Sequence, residues 1–256
     1  MTYTLIGTGN TAWFLSTKLA AAGHICAGIF ARNLKNAELL ANAINSKAYS
    51  LNVTAIPETD CCIIAVSDYA IANVAAQLKF ENTVVIHSAG AIDINILTTT
   101  SNKYGVLWPI YSIVKNNLPE ERNIPSVWEA SDPDTASVIH TIAQSYTDVI
   151  FQADSTKRKW LHLTAVMSNN FTNHLFAISE KLCEEQQLPF SLLLPIIQQS
   201  IQRLNTNSAF SQQTGPAKRN DNVIIAKHLE MLDNHPEWQK LYDDISRSIM
   251  AMYKQP

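Results

Sequence analysis

Gly7-Thr8-Gly9-Asn10-Thr11-Ala12 is the stretch whose residue types and spacing point most directly to chemistry. It follows a short apolar run, Tyr3 to Ile6, and opens a helical stripe of Ala12, Leu15, Leu19 and Ala22. G-x-G-x-x-A between a strand and a helix is a phosphate-binding turn. Gly7 permits the tight turn. Gly9 lets the backbone approach a pyrophosphate with no β-carbon in the way. Ala12 allows helix and strand to pack closely. The unpaired N–H groups and dipole of the helix start then favour an anion. The six residues are therefore expected to cradle a dinucleotide. The same turn could also serve an α/β domain that binds nothing, and its strand–helix setting favours the cradle.

The cofactor is read from the end of the second strand. An NAD site usually places Asp or Glu there to hold the ribose hydroxyls. This chain has Phe30-Ala31-Arg32-Asn33. Arg32 offers a guanidinium fork for a 2′-phosphate, with Asn33 and Lys35 able to assist. The expectation is NADP, bound as NADPH or NADP+, against the alternative of an exposed loop arginine without a ligand. Two further loops lie where strands end, Val66-Ser67-Asp68 and His87-Ser88-Ala89-Gly90. Val66, Ser67, Ser88, Ala89 and Gly90 are expected at the nicotinamide half. Asp68 also reads as a helix cap.

A third group sits in a helix expected from Trp160 to Glu185. Ser168-Asn169-Asn170-Phe171-Thr172-Asn173 puts three asparagines, at about 0.6 kcal/mol each relative to alanine, into an otherwise apolar helix. At about 100° per residue His162, Asn169 and Asn173 share one face, and Asn170 lies about 80° from His162. The patch faces either a ligand cleft or a neighbouring helix tied by amide hydrogen bonds.

The elements that must hold these residues alternate in the first half. Strands are expected at Tyr3–Ile6, Ile25–Phe30, Cys61–Val66, Thr83–His87 and Gly105–Leu107, then at Val127–Ala130 and Asp148–Phe151. Helical stripes lie between them, including one over 133–146. Continuously apolar strands separated by helices mean a sheet covered on both faces. After Asp154 only helical patterns occur: Trp160–Glu185, Ser191–Asn205, Asp221–Asn234 and Pro236–Tyr253. The fold class expected is α/β, a doubly wound parallel Rossmann sheet over residues 1–154, followed by a smaller all-α domain over 155–256.

With 46% hydrophobic and 16% charged residues, the chain can bury a core. A formal net charge of −3 without long like-charge runs suggests neither a nucleic-acid nor a membrane partner. Met1-Thr2-Tyr3 leads straight into a strand with no basic leader, and the apolar runs are too short to span a bilayer. Adjacent Cys61 and Cys62 point to opposite strand faces, and Cys26 and Cys183 have no C-x-x-C partner. Buried thiols in the cytoplasm, with no metal site, are expected.

The loop Gln213-Thr214-Gly215-Pro216-Ala217-Lys218-Arg219-Asn220-Asp221 completes a pattern. Asp221 reads as a helix cap, and Arg219 or Asn220 is free to reach a substrate or a neighbouring subunit. Together with Ile6–Asn10, Ala65–Asp68, His87–Gly90 and the His162–Phe171 helix, it resembles the Rossmann-type NADP oxidoreductases whose C-terminal half is a helical domain of unknown function. These are distant relatives of pyrroline-5-carboxylate reductase, ketopantoate reductase and the 3-hydroxyacid dehydrogenases. The resemblance covers nearly the whole chain. One departure is Trp108-Pro109, where many members carry His-Pro. The family also takes its name from deazaflavin-dependent reductases, but no residue here argues for a deazaflavin.

The resemblance implies hydride transfer between NADP(H) and a small carbonyl, hydroxy acid or imine. It implies a substrate pocket beside the first long helix of the second domain, and a homodimer built through that domain. Asn170 would polarise the substrate carbonyl or position the ring. His162 is the candidate proton donor because imidazole titrates near neutral pH, though a hydrogen-bonded core histidine would fit the same position. The competing readings are a non-catalytic NADP(H) sensor, which the same fingerprint would serve, and a structural dimer module with a relic fingerprint.

Overall fold

The computed structural model describes residues 1–51, 56–120 and 122–254. They form two compact units, Met1–Asn169 and Asn170–Pro256. Among the described residues the first unit holds one sheet of β1 (Thr2–Ile6), β2 (Ile25–Ala31), β3 (Ala48–Ser50), β4 (Cys61–Ile64), β5 (Val84–His87), β6 (Tyr104–Pro109), β7 (Ser126–Ala130) and β8 (Ile150–Gln152). Its strand order is β3-β2-β1-β4-β5-β6-β7-β8. Every pairing is parallel except β6 with β7, which is antiparallel. The helices of this unit are α1 (Asn10–Ala21), α2 (Leu34–Ala43), α3 (Asp68–Ala75), α4 (Pro133–Ala143) and α5 (Ser155–Ala165).

The expected doubly wound sheet is present, and its strands show why. Leu5, Cys61, Ile63, Ile86 and Leu107 bury themselves on one face with Phe14, Leu15 and Leu19 of α1 and Ile139 and Ile142 of α4. Ile6, Cys62, Ile64 and Val85 bury themselves on the other with Ile71 and Val74 of α3. A strand buried on both sides needs apolar residues at every position. Each such side chain contributes about 1.5–3 kcal/mol over its exposed state. Cys61 and Cys62 divide between the two faces as expected. β3 was not expected. It has three half-buried residues and pairs with β2 from Ile29↔Ala48 onward, too short a run to carry an alternation signal.

The strand order reverses between β1 and β4, so a crevice opens at their carboxyl ends, where such sheets take ligands. The turn after β1 is tied to its neighbours there: the Gly7 N–H donates to the Phe30 carbonyl at 2.9 Å, and the Ala65 N–H donates to the Ile6 carbonyl at 2.8 Å.

The second unit contains α6 (Thr172–Glu185), α7 (Leu194–Arg203), α8 (Ala209–Gln212), α9 (Asn222–Met231) and α10 (Pro236–Met252). It is all-helical, as expected. Asp221 caps α9, its carboxylate accepting from the Ile224 N–H at 3.2 Å. The single helix expected from Trp160 to Glu185 is corrected. The helix begins at Ser155, where Asp154 caps it by accepting from the Lys157 N–H at 2.8 Å. Between α5 and α6 the backbone runs through a π-helical turn, Val166–Phe171. The three asparagines lie in or just beyond this turn, so the 100° spacing that grouped them with His162 does not hold across it. A π turn leaves the regular ladder unmade, and amides tolerate that better than the apolar residues around them.

Candidate functional site

A cleft of about 1250 Å³ lies at the carboxyl edge of β1, β2 and β4. Gly7, Thr8, Gly9, Asn10 and Thr11 line it, as do Arg32, Asn33, Val66 and Ser67. Nine of the expected cofactor residues therefore share one wall-to-wall space.

The two glycines of the turn differ in what surrounds them. Gly7 sits at φ +116, and a β-carbon there would run into the carbonyl of Ala65, so the turn holds β1 against the end of β4. A β-carbon on Gly9 would meet nothing within 4 Å. It would point into open space. Gly9 is also the N-cap of α1 and offers no side-chain cap, and the first turn of α1 holds no acidic residue. The amides of this first turn therefore receive no side-chain cap. Asn10 is not wholly free, because its amide oxygen accepts from the Lys115 N–H at 3.2 Å. Ala12 does not line the cleft. It is fully buried beneath it in the core, which is the packing role given to the third motif position.

At the other end Arg32 stands just after β2. Asn33 caps α2, its amide oxygen accepting from the Asn36 N–H at 3.2 Å. That oxygen is committed to the helix, and Leu34, Lys35 and Asn36 line the cleft beside Asn33. Asp68 is not the cap of α3. Ser67 holds that position without a side-chain bond, and Asp68 is in the first turn. Tyr69 was missed by sequence reasoning. It lines the cleft, and hydrogen bonding to Ser67, then to Arg32, draws its phenol below the ordinary value. Tyr69, Asn73 and Gln77 line the cleft at i, i+4 and i+8, a polar spacing opposite Ile71 that was available as a signal.

Ser88, Ala89 and Gly90 do not line this cleft. They belong to a second group in the same unit. A β-carbon on Gly90 would stand 2.6 Å from Cε2 of Trp108 and 2.8 Å from Cδ2 of His162. The rings of Trp108 and His162 lie 5.5 Å apart at an interplanar angle of 50°. The sequence departure at Trp108 and the candidate proton donor are thus neighbours. Close to Gly90 in sequence, His87 is buried, its Nδ1 accepting from the Ala89 N–H at 3.2 Å. Burial, and then the nearby Arg158 charge, push its pKa down to about 3, so this ring is neutral. Asn170 is exposed, in the π turn, and belongs to the second unit.

Among the described residues no cluster of His, Cys, Asp or Glu could hold a metal ion, and no helix is long and apolar enough to cross a membrane. Burial pushes the Cys62 thiol up to about 12 and the Cys61 thiol well above its ordinary value, which suits packing rather than nucleophilic attack.

Two family profiles match the sequence. One, described as NADP oxidoreductase coenzyme F420-dependent, covers residues 2–90. The other, a domain of unknown function termed DUF2520, covers residues 124–249. No curated protein sequence matches it. Among solved structures, the Bacteroides fragilis protein BF3122, designated an NADP oxidoreductase, is 32% identical with a TM-score of 0.90, and 98% of each chain is covered. Pyrroline-5-carboxylate reductase from Streptococcus pyogenes is 14% identical with a TM-score of 0.62 over 98% of each chain. An imine reductase from Aspergillus terreus is 13% identical with a TM-score of 0.63, covering 96% of this chain and 94% of its own. The last two share the fold alone.

Proposed function

The chain belongs to the family of NADP oxidoreductases, and we propose that it moves hydride between NADP(H) and a small carbonyl, hydroxy-acid or imine substrate. The observation that carries this reading is the bare opening at Gly9, facing a helix start with free amides, in the same cleft as Arg32. The nicotinamide ring supplies or accepts the hydride when bound. The protein binds, orients and handles the proton.

In this reading the first-turn amides of α1 hold the pyrophosphate. Arg32 forks onto the 2′-phosphate, with the Tyr69 hydroxyl beside it. Val66 and Ser67 wall the middle of the cofactor, and Ser88, Ala89 and Gly90 border its nicotinamide half. His162, next to Gly90 and Trp108, holds a proton for the substrate oxygen or nitrogen. Asn170 is assigned to polarising the substrate on family resemblance. Neighbours in fold that reduce carbon–nitrogen double bonds support imines as a substrate class.

Calorimetric titration with NADPH and NADH tests the reading. The parent protein is expected to bind NADPH at least about tenfold more tightly, and Arg32→Ala to bring the two affinities together. Equal affinities in the parent overturn the NADP preference. No heat with any pyridine nucleotide overturns the whole reading.

We further propose a homodimer through residues 155–256. No residue of α6 or α7 is buried, and Leu192, Ile196, Ile201 and Leu204 are all more than half exposed. Apolar exposure on this scale marks an interaction surface.

A further inference from the structure

Arg158 is fully buried near the start of α5, one turn before His162. Its Nη1 donates to the carbonyl oxygens of Ala89 and Gly90, each at 3.0 Å, and to that of Ile92 at 2.5 Å. Its Nη2 donates to Glu129 Oε2 and to Ser155 Oγ, each at 2.9 Å. Ser155 Oγ in turn donates to the same Glu129 oxygen at 2.8 Å and accepts from the Ile94 N–H at 3.1 Å.

A charge taken fully out of water costs several kcal/mol unless it is paired and hydrogen-bonded, so this arrangement needs a reason. Glu129 supplies the pairing. What the guanidinium then does is gather three backbone carbonyls of one short loop around a single nitrogen. The two N–H groups of that nitrogen serve all three oxygens, so one cation ties three points of the loop. The loop is the segment 88–92, whose Gly90 sits against Trp108 and His162. None of these partners is a ligand of the cleft lined by Gly9 and Arg32.

We propose that Arg158 is the positioning residue of the nicotinamide side: by holding the carbonyls of Ala89, Gly90 and Ile92, it fixes the wall that Gly90, Trp108 and His162 form. This rests on the assignment of Ser88, Ala89 and Gly90 to the nicotinamide half. The role is specific to arginine. Lysine carries the same charge but presents a point rather than a planar fork, and cannot serve the loop and Glu129 together.

The test compares two probes, NADPH and 2′,5′-ADP, which carries the adenosine and 2′-phosphate but no nicotinamide. Arg158→Lys is expected to weaken NADPH about tenfold while leaving 2′,5′-ADP within about twofold of the parent. Hydrogen exchange should quicken at the amides of residues 88–93 and stay unchanged at residues 7–12. Glu129→Gln, which loosens the same guanidinium without removing it, should shift the ratio in the same direction by less, and carries the comparison should Arg158→Lys fail to fold. Equal weakening of both probes, or of neither, overturns the inference and leaves Arg158 a structural residue. A parent protein that binds neither probe overturns the proposed function first, an outcome distinct from either of these.

Discussion

Gly90 and Trp108 are packed so closely that a β-carbon on the glycine would stand 2.6 Å from Cε2 of the indole, with His162 Cδ2 at 2.8 Å on the same side. Both rings are held by a strand and a helix, so neither can yield cheaply. Gly90→Ala is expected to cost about 1–3 kcal/mol in denaturant unfolding. Combining it with Trp108→Ala should recover part of that loss. Additive costs would show that the crowding lies elsewhere.

Gly7 and Gly9 should separate folding from binding. Gly7→Ala forces a β-carbon toward the Ala65 carbonyl at a positive φ, and a loss of at least about 2–3 kcal/mol of stability is expected. Gly9→Ala points a methyl into open cleft. Its melting temperature should match the parent while NADPH affinity drops at least about tenfold. Unchanged calorimetric affinity in Gly9→Ala would remove the pyrophosphate from this turn.

Tyr69→Phe removes the phenol that Ser67 and Arg32 draw below its ordinary value. NADPH should then bind a few-fold more weakly, and NADH about as before. Parallel titrations of the two nucleotides check this. An equal effect on both would place Tyr69 against the adenine instead of the phosphate.

His87 makes stability depend on pH. Its folded pKa, pushed down to about 3, lies below the ordinary histidine value near 6.5. The folded protein therefore binds fewer protons than the unfolded chain as pH falls through that window. The contribution is intact above about pH 6.5 and is lost progressively toward pH 3, reaching about 2 kcal/mol at pH 5. Urea unfolding of His87→Gln, which keeps an acceptor for the Ala89 N–H, should show a shallower decline between pH 6.5 and pH 4 than the parent. Superimposable pH profiles would mean that the ring protonates freely in the fold.

The apolar side chains of α7 bear on assembly. Ile201→Asp, at a position 60% exposed, should leave the helical content unchanged and turn a dimer into a monomer in sedimentation equilibrium. A parent protein that sediments as a monomer would end the dimer proposal.

The fold was largely readable because its signals are local. The Tyr3–Ile6 strand, the Gly7–Ala12 turn and the α1 stripe each follow from steric rules acting over a few residues. β3 was not readable, since three residues of Ala48–Ser50 carry no period. The π turn was hidden for a related reason: its effect is to break the 3.6-residue repeat on which helical reading depends. In the candidate site, Gly9 and Arg32 stood out by type and place. Arg158 did not. It lies between Lys157 and Lys159, both exposed, and a short basic run on a helix reads as a solvated face. Only tertiary contacts show that the middle residue of the three points inward.

β7 runs against β6, and β8 follows β7. The sheet therefore hands the chain on partway down its far flank rather than at the ligand-bearing rim. α5 starts there, with Ser155 on Glu129, and climbs back to that rim, setting Arg158 under the loop and His162 beside Trp108 one turn higher. Had β7 and β8 kept the direction of the others, the helix after them would have descended from the rim and carried both residues away from it. One reversal of direction at the sheet's margin thus decides whether a basic anchor and an imidazole can arrive on consecutive turns of the same rod.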